Sequence, residues 1–419
     1  MSSKLTGLWR HPDFLKVWAG ETVSLFGSQV SLLAIPLTAV LVLQATPAQI
    51  GLLVAAETAP LLLLSLFAGA WLDRVPRRPI MIISDCALAL LSGSIVLASF
   101  WGILSIVYLY VVSFLVGVFS VLFAVAYQAY LPTLVETEFL LEANSKLETT
   151  RALAEISGPA IAGALIQLLT APIATGVDAV SFLVSGLGLS LVREPEPRLA
   201  HSKVQPNIWR EIGEGLRELL SNPMLRAFVL CNVITNFFDN IIATLYTLYL
   251  VRELGISPAL LGIVLGIGGV GGLLGAVLAT RISQRLGFGP TLLWANICFG
   301  LGSLLVPLAG GPLIWAVPLL IISRFLKSMV NLIYNIGQIS VRQAITPHRL
   351  QGRVNASMRF LAGGTVPFGA LVGGLLGTVI GLRATLLVGA TGVCLSTLPI
   401  FFSPVRHLQN QPMSKSAQE

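Results

Sequence analysis

The chain has 419 residues, of which 55% are hydrophobic and 11% are charged, and its mean hydropathy is +0.85. A soluble domain carries roughly 25% charged residues, so these proportions exclude an ordinary soluble protein and predict an integral membrane protein with many spans. The formal net charge is +7 at pH 7. Basic loops that face anionic lipid headgroups explain this charge, and we expect no nucleic-acid partner.

Residue types that bind metals or form disulfides are few. Each of the four cysteines lies inside an apolar run, and the four histidines lie in tails and loops. The sequence shows no disulfide framework or zinc spacing, and no Walker loop or nucleophile–base pair. We therefore expect no metal, no cofactor and no catalytic residues, so the protein is predicted not to be an enzyme.

The sequence contains twelve apolar runs of the length that a membrane span requires, about 20 residues. The first begins near Phe14 without a signal-cleavage pattern, so it is predicted to be retained. Their all-round hydrophobicity predicts helices, hence an all-α integral membrane fold with twelve transmembrane helices. The predicted spans are 14–42, 48–72, 79–100, 104–127, 149–169, 172–192, 224–250, 258–280, 288–308, 312–337, 356–380 and 384–402.

The basic residues divide the loops into two sets. All but four of the 26 lysines and arginines fall in the tails and in one set of loops. The opposite loops carry Arg252 and Arg383, while Arg324 and Lys327 lie within a span. By the positive-inside rule, both termini and the central loop are predicted to face the cytoplasm.

The short loop between spans two and three reads GAWLDRVPRRP, residues 69–79. Charges at a helix end can bond to a neighbouring helix terminus and release it when the helices move apart. The alternative is a simple positive-inside anchor, which would require neither the glycine nor the aspartate. The sequence thus predicts a conformational motif made of Gly69, Asp73, Arg74, Arg77 and Arg78.

Span five contains GPAIAG, with Gly158, Pro159 and Gly163. Glycine and proline inside a membrane helix allow a bend and a close backbone approach, so this segment is predicted to be a helix-bend motif.

The central loop contains a predicted amphipathic helix. Ile208, Ile212, Leu216 and Leu219 recur at helical spacing, and charged residues fill the other face. We expect this helix to lie along the membrane interface or under the helical bundle.

Residues 266–275 read GIGGVGGLLG, which fits the G-x-G-x-x-G spacing of dinucleotide-binding loops. That interpretation requires a strand before the glycines, whereas these lie inside span eight. Gly268 and Gly272, like Gly271 and Gly275, stand four residues apart. This spacing predicts close helix packing instead of nucleotide binding.

The sequence matches itself at an offset of 211 residues. Pro12 falls on Pro223, Asn144 on Asn355, and TPAQIG at 46–51 on SPALLG at 257–262. One constant offset predicts two parallel halves of six helices each. The predicted domains are an N-terminal six-helix bundle at 1–192, a cytoplasmic linker with the amphipathic helix at 193–223, a C-terminal six-helix bundle at 224–404 and a cytoplasmic tail at 405–419.

This six-plus-six arrangement resembles the major facilitator superfamily. The loop at 69–79 resembles its G-x-x-x-D-R-x-x-R-R motif, and GPAIAG resembles the G-P-x-x-G-G pattern of its exporters, with Ala162 in place of the first paired glycine. From about Trp9 to Pro404, the chain is similar to the transmembrane secretion effector type, which includes macrolide and enterobactin exporters. The segments that carry this similarity are WAGETVSLFGSQVSLLAIPL, QAYLPTLV, EANSKLE, VRQAITP and GRVNASMRFL.

The resemblance implies the major facilitator fold in a bacterial plasma (inner) membrane. It also implies a substrate site between the halves near mid-membrane, lined by spans one, four, seven and ten, and a loop motif that stabilises the outward-facing state. Many relatives carry an acid in span four where this chain has Ala124, so a proton carrier at that position is excluded.

Ionisable residues within a membrane are costly and are functional candidates by default. Glu57 or Asp239 is predicted to take up a proton from outside, with protonation coupled to substrate release. At the repeat offset of 211 residues, Glu57 aligns with Gly268, so the second half has no acid at this position. Arg324 would pair with Asp239 or hold the substrate; alternatively, the two form a fixed ion pair. The proton and substrate candidates are Glu57, Asp239, Arg324, Lys327, Glu21, Asn236 and Asn331.

Three intramembrane acids lie close to the predicted cytoplasmic ends of their spans. For Glu21, Asp85 and Glu155, a structural role in a cytoplasmic charge network is as well supported as a role in transport.

These features predict a secondary active exporter of amphipathic small organic molecules, of drug, macrolide or siderophore type, that works by proton antiport and alternating access. A lipid flippase or an uptake transporter on the same fold is the alternative, and a non-transporting membrane sensor ranks below both. The predicted partners are a small-molecule substrate, protons and the lipid bilayer, and we expect a monomer.

Overall fold

The computed structural model describes residues 8, 11–72, 75–193, 196 and 208–409, and only the backbone of residues 65–72 and 208–212. Within this described part, twelve helices are long and apolar enough to cross a membrane, and no residue is in a strand. The predicted all-α membrane fold is confirmed.

The first six membrane helices take up the first half of the chain. A π-helical turn, Thr38–Val42, extends the first of them. Their bounds are α1 (Pro12–Leu37), α2 (Pro47–Leu72), α3 (Arg77–Phe100), α4 (Ile106–Leu134), α5 (Leu140–Leu169) and α6 (Ala171–Ser190).

The second half begins with the linker helix α7 (Ile208–Ser221). The last membrane span is formed by two consecutive helices, α13 and α14. The bounds are α8 (Pro223–Arg252), α9 (Pro258–Leu286), α10 (Phe288–Leu308), α11 (Leu313–Ile345), α12 (Gln351–Val379), α13 (Leu382–Leu395) and α14 (Leu398–Phe401).

Five helices extend by five or more residues beyond their predicted spans, among them α9, which continues to Leu286. α4 continues to Leu134 and α11 to Ile345, while α5 begins at Leu140 and α12 at Gln351. The hydropathy of the sequence shows where a helix leaves the hydrocarbon core of the bilayer. A helix can continue into water beyond that point because its backbone hydrogen bonds are made within the helix. One 3₁₀ turn links each pair of extended helices, at Thr137–Phe139 and at His348–Leu350.

The helix boundaries repeat with the offset found in the sequence. The starts of α1 and α8, α2 and α9, α3 and α10, α5 and α12, and α6 and α13 lie 211 residues apart. Backbone turns repeat as well: Gln44 (φ 50°) and Gly255 (φ 68°) correspond, as do Thr170 (φ 80°) and Gly381 (φ 83°).

The chain divides into two compact units. The first contains the described residues of Met1–Ala45, Ala56–Ser202 and Ser257–Gly266. The second contains those of Thr46–Ala55, Lys203–Ile256 and Ile267–Glu419.

The predicted linker helix is present as α7 and packs in the second unit against α12 and α8. Glu214 forms an ion pair with Arg353, and Leu219 is fully buried. A methyl group added at Gly215 would lie 2.6 Å from the Arg353 carbonyl oxygen, so the glycine allows α7 to approach the α12 backbone. Of the two predicted locations, the structure shows the one against the bundle.

The glycine-rich segment of α9 packs helix against helix, as predicted. Methyl groups added at Gly271 and Gly275 would collide with the α11 backbone, at the carbonyls of Phe325 and Met329. These glycines therefore serve helix packing, and no strand precedes them in the described chain.

Candidate functional site

The first unit contains a cavity of about 600 Å³ between α1, α4 and α5. Its lining mixes acidic, amide, aromatic and aliphatic side chains. The polar lining residues are Glu21, Gln29, Tyr127, Gln128, Asn144, Glu148, Arg151 and Glu155, and the apolar ones include Leu25, Phe123, Leu131 and Leu147. The sequence singled out Glu21, whereas Asn144 and Glu148 were missed as lining residues because they lie on the part of α5 that precedes its predicted span.

The charges of this cavity do not balance. Three carboxylates, Glu21, Glu148 and Glu155, face one guanidinium, that of Arg151. Arg151 forms an ion pair with Glu155 at 3.1 Å, one helical turn along α5. The remaining carboxylates give the lining a net negative charge, which attracts a positively charged ligand group.

Aromatic rings give the same cavity a flat apolar wall. Phe123 and Tyr127, one turn apart on α4, stack with ring centroids 5.9 Å apart and an interplanar angle of 14°. An aromatic face beside carboxylates suits a molecule that carries both an apolar body and a cationic group.

The helix-bend motif of α5 shapes this unit. A methyl group added at Gly158 would lie 2.5 Å from Cγ of Gln29, a cavity residue on α1. Gly163 packs against Gly262, with its added methyl 3.0 Å from the Gly262 Cα, and Pro159 lies inside the helix between these contacts. Both glycines thus permit close helix approaches, while the bend of α5 stays a prediction.

The second unit contains a smaller cavity, of about 190 Å³, between α8, α10 and α11. Its polar lining is dominated by amides, and it brings the candidates Asn236 and Asn331 together. The five asparagines that line it are Asn232, Asn236, Asn296, Asn331 and Asn335.

The partner of Asp239 is Lys327, not Arg324, so that part of the prediction is wrong. The Lys327 Nζ donates to Asp239 Oδ1 at 2.5 Å and lies 4.8 Å from the centroid of the Phe299 ring. Arg324 lies one turn away and packs on Gly268, whose added methyl would be 3.0 Å from the Arg324 Nε. Both basic residues share a face of α11, and the packing of Lys327 on α10 determines which one reaches α8.

Glu57 lies half-buried in α2. Its backbone carbonyl contacts Gly117 of α4, and among the described residues its carboxylate has no hydrogen-bond or ion-pair partner. It lines neither of the two cavities.

The described part of the loop motif connects α3 to the end of α6. The backbone N–H groups of Arg77 and Arg78 donate to the Glu196 carboxylate at 2.9 and 3.2 Å, which caps the positive end of α3. The Arg78 guanidinium donates to the carbonyls of Leu189 and Ser190 at the end of α6. Asp73 and Arg74 lie outside the described residues, as does the side-chain environment of Gly69.

The family assignment follows from the whole length of the chain. A sequence profile described as "Transmembrane secretion effector" matches residues 3–418. The chain therefore belongs to the transmembrane secretion effector family of the major facilitator superfamily, whose members are multi-pass membrane transporters.

Two related proteins carry transport functions in their names. The "Multidrug efflux pump Tap" of Mycolicibacterium fortuitum is 30% identical over 414 residues, covering 96% of this chain and 98% of the relative. "Macrolide efflux protein A" of Streptococcus pyogenes is 24% identical over 229 residues, covering 54% of this chain and 55% of the relative. These relatives support membrane efflux of the major facilitator type.

Solved structures agree on the fold. A bacterial homologue of the iron transporter ferroportin, in an inward-facing state, aligns with a TM-score of 0.76 at 17% identity and covers 94% of this chain and 99% of that one. A bacterial homologue of the lysosomal transporter Spinster, in an occupied inward-facing conformation, aligns with a TM-score of 0.72 at 15% identity over 95% and 97% of the two chains. At these identities the likeness establishes the major facilitator fold alone.

Proposed function

We propose that this protein is a secondary active exporter of amphipathic small organic molecules, driven by proton antiport through alternating access. The observation that carries the proposal is the first-unit cavity. Its volume of about 600 Å³ lies within the range of roughly 300–1,000 Å³ found for small-molecule sites. The names of the efflux relatives support a drug-like substrate.

The lining narrows the substrate class. Stacked Phe123 and Tyr127 offer an apolar face, and Glu21 supplies a carboxylate in the same cavity. This combination favours a lipophilic compound with a positively charged nitrogen, such as a dye or a macrolide amine, over an anionic siderophore.

Two acids are proposed as proton carriers. Glu57 has no partner among the described residues, so its protonation breaks no ion pair. Asp239 is bonded to Lys327, so a proton on Asp239 would neutralise it and weaken the link between α8 and α11. Either event would couple proton binding to helix movement.

We further propose that the protein resides as a monomer in a bacterial plasma membrane with both termini in the cytoplasm. The distribution of basic loops supports this orientation.

A cellular accumulation assay tests the proposed function. Expression in a pump-deficient bacterium should lower the accumulation of ethidium and erythromycin, and collapse of the proton gradient should restore it. The variant Glu21→Gln should weaken ethidium export. The matched control Glu142→Gln, a change at an α5 acid that does not line the cavity, should export normally.

Several results would contradict the proposal. Unchanged accumulation of every probe, or reduced accumulation that persists without a proton gradient, would exclude proton-driven export. Raised accumulation would indicate uptake, and movement of a fluorescent lipid across proteoliposomes without ethidium export would indicate a flippase.

A further inference from the structure

The internal repeat places a buried acid of the first unit on a buried amide of the second. The offset of 211 residues takes Asp85 to Asn296 and Ser185 to Ser396. Asp85 and Asn296 lie on α3 and α10, and the two serines lie on α6 and at the end of α13. At equivalent positions of the repeat, the first unit therefore has an ionisable side chain and the second unit has one that cannot ionise.

In the second unit the amide is a satisfied hydrogen-bond donor. Asn296 Nδ2 donates to Ser396 Oγ and to Thr397 Oγ1, each at 3.1 Å. The Ser396 hydroxyl donates its own proton to the Val393 carbonyl at 2.6 Å, so its oxygen is left to accept. The cluster around position 296 is thus built for a side chain that donates.

In the first unit the acid has the same surroundings but fewer partners. Asp85 is 1% exposed, and neither of its carboxylate oxygens accepts a hydrogen bond from the described residues. The Ser185 hydroxyl is a potential hydrogen-bond partner of the acid, while the counterpart of Thr397 is Gly186, which offers no hydroxyl.

The hydrogen-bonding chemistry of this position matches a protonated acid. An ionised carboxylate can only accept, whereas a carboxylic acid carries one O–H donor. That O–H would take the place of the Asn296 N–H, and Ser185 the place of Ser396.

One ionisable group connects Asp85 to the cavity. Glu21 of α1 follows Gly20, whose added methyl would lie 3.0 Å from the Cα of Ser185 on α6, and Glu21 lines the first-unit cavity. Tyr127 of α4 lines the same cavity as Glu21, and α4 has no charged residue. The one acid on α6, Asp178, has two hydroxyl groups within hydrogen-bond distance of its Oδ1, those of Ser28 at 3.5 Å and Ser181 at 3.2 Å.

We propose that Asp85 is a proton-binding site of this transporter and that Glu21 connects it to the substrate cavity. The proposal rests on the proposed function for its role in transport. The proton adds to a carboxylate oxygen of Asp85, and the new O–H donates to Ser185. A positively charged compound bound beside Glu21 opposes a proton at Asp85, so substrate binding releases the proton and antiport follows.

Infrared titration of the reconstituted protein tests this assignment without a substrate. Raising the pH should deplete the carbonyl stretch of protonated carboxylic acids, and Asp85→Asn should remove one component of that change. This variant is expected to fold, because Asn296 shows that the scaffold accepts an amide there. The control Asp178→Asn, in the same unit, should retain the component lost in Asp85→Asn.

The link to the cavity has its own measurement. Glu21→Gln should shift the pH at which the Asp85 component titrates, whereas an unchanged titration would overturn the link. An Asp85→Asn spectrum identical to the wild type would overturn the proton site itself.

Transport measurements separate this proposal from the proposed function. In proteoliposomes, Asp85→Asn should lose ethidium accumulation driven by a proton gradient while keeping ethidium exchange at equal pH. Proton-driven accumulation by Asp85→Asn at the wild-type level overturns the role of Asp85, whereas absence of transport by the wild type overturns the proposed function instead.

Discussion

Thr170 adopts a backbone conformation that glycine enters most readily. It is the single residue between α5 and α6, with φ 80° and ψ 155°. Its counterpart in the repeat is Gly381, with φ 83° and ψ 162°. A β-branched residue in this region is strained by about 1–3 kcal/mol, and one half of the molecule avoids that strain.

Thr170→Gly is therefore expected to stabilise the protein. The relief of strain exceeds the added flexibility of glycine in the unfolded chain, so the net gain should be about 1 kcal/mol. Thermal unfolding in detergent measures it. Gly381→Thr should destabilise the protein by a similar amount. A Cβ at this position has no atom within 4 Å, so the loss would come from backbone strain and not from a steric clash. A less stable Thr170→Gly protein would contradict this account.

The Asp239–Lys327 pair should behave as one unit in mutagenesis. Lys327→Met leaves a carboxylate whose side chain is 31% exposed without its partner and should cost about 1 kcal/mol of stability. The double variant with Asp239→Asn removes both charges and should recover most of the loss, as measured by thermal unfolding. Arg324→Met is the matched control and should leave the stability close to wild type, since Arg324 does not form the pair. Additive effects of the two substitutions would show that the pair is not coupled.

The identity of this pair also shows what residue patterns leave open. The sequence identified Asp239, Arg324 and Lys327 as intramembrane charges, but Arg324 and Lys327 lie three residues apart on one helix face. The contact of Lys327 with Phe299 and with Gly302 of α10 determines its position. Such contacts between helices cannot be read from the periodicity of one helix.

At the scale of helices, α9 allows a matched test of glycine packing. A methyl group added at Gly271 would lie 3.1 Å from the Phe325 Cα, whereas one at Gly272 would lie 3.4 Å from the Ser328 hydroxyl. Gly271→Ala should therefore destabilise the second unit by about 1–3 kcal/mol, and Gly272→Ala should be tolerated. Thermal unfolding of both variants checks this, and equal stabilities would contradict the packing described.

The linker helix α7 offers a second matched pair. A methyl at Gly215 would lie 2.5 Å from the Ser357 hydroxyl, while one at Gly213 meets nothing within 4 Å. Gly215→Ala should loosen α7 from α12 and raise amide hydrogen exchange across Ile208–Ser221. Gly213→Ala should lower it, because alanine favours a helix by about 1 kcal/mol over glycine. Faster exchange in both variants, or in neither, would argue against docking through Gly215.

The sequence predicted which segments form helices better than it predicted where those helices begin and end. Twelve apolar runs and the amphipathic pattern near Ile208 identified every long helix in the described chain, because burial in lipid or at an interface imposes those patterns. The extensions of α4 and α5 were missed because polar residues interrupt their apolar runs, and this concealed the cavity role of Asn144 and Glu148.

At the scale of the whole molecule, the repeat distinguishes features that both halves share from residues that occur in one half alone. Helix starts and left-handed turns recur 211 residues apart, so they belong to the fold. Acids that do not recur stand out against it: Glu57 corresponds to Gly268, Asp85 to Asn296 and Glu21 to Asn232. At these three positions the first unit carries an acid where the second carries a neutral residue, and at Asp239, which aligns with Ser28, the reverse holds. Acids that break the repeat thus occur in both units, and the proposed proton carriers are among them.

Ethidium transport in inside-out membrane vesicles tests the central claim, proton-driven export, most directly. Wild-type vesicles with an acidic interior should accumulate ethidium and should stop when the gradient is collapsed, while Glu57→Gln or Asp239→Asn should lose the dependence on the gradient. Wild-type accumulation that ignores the gradient would contradict the proposed antiport. Wild-type coupling in both variants would show that neither acid carries the proton.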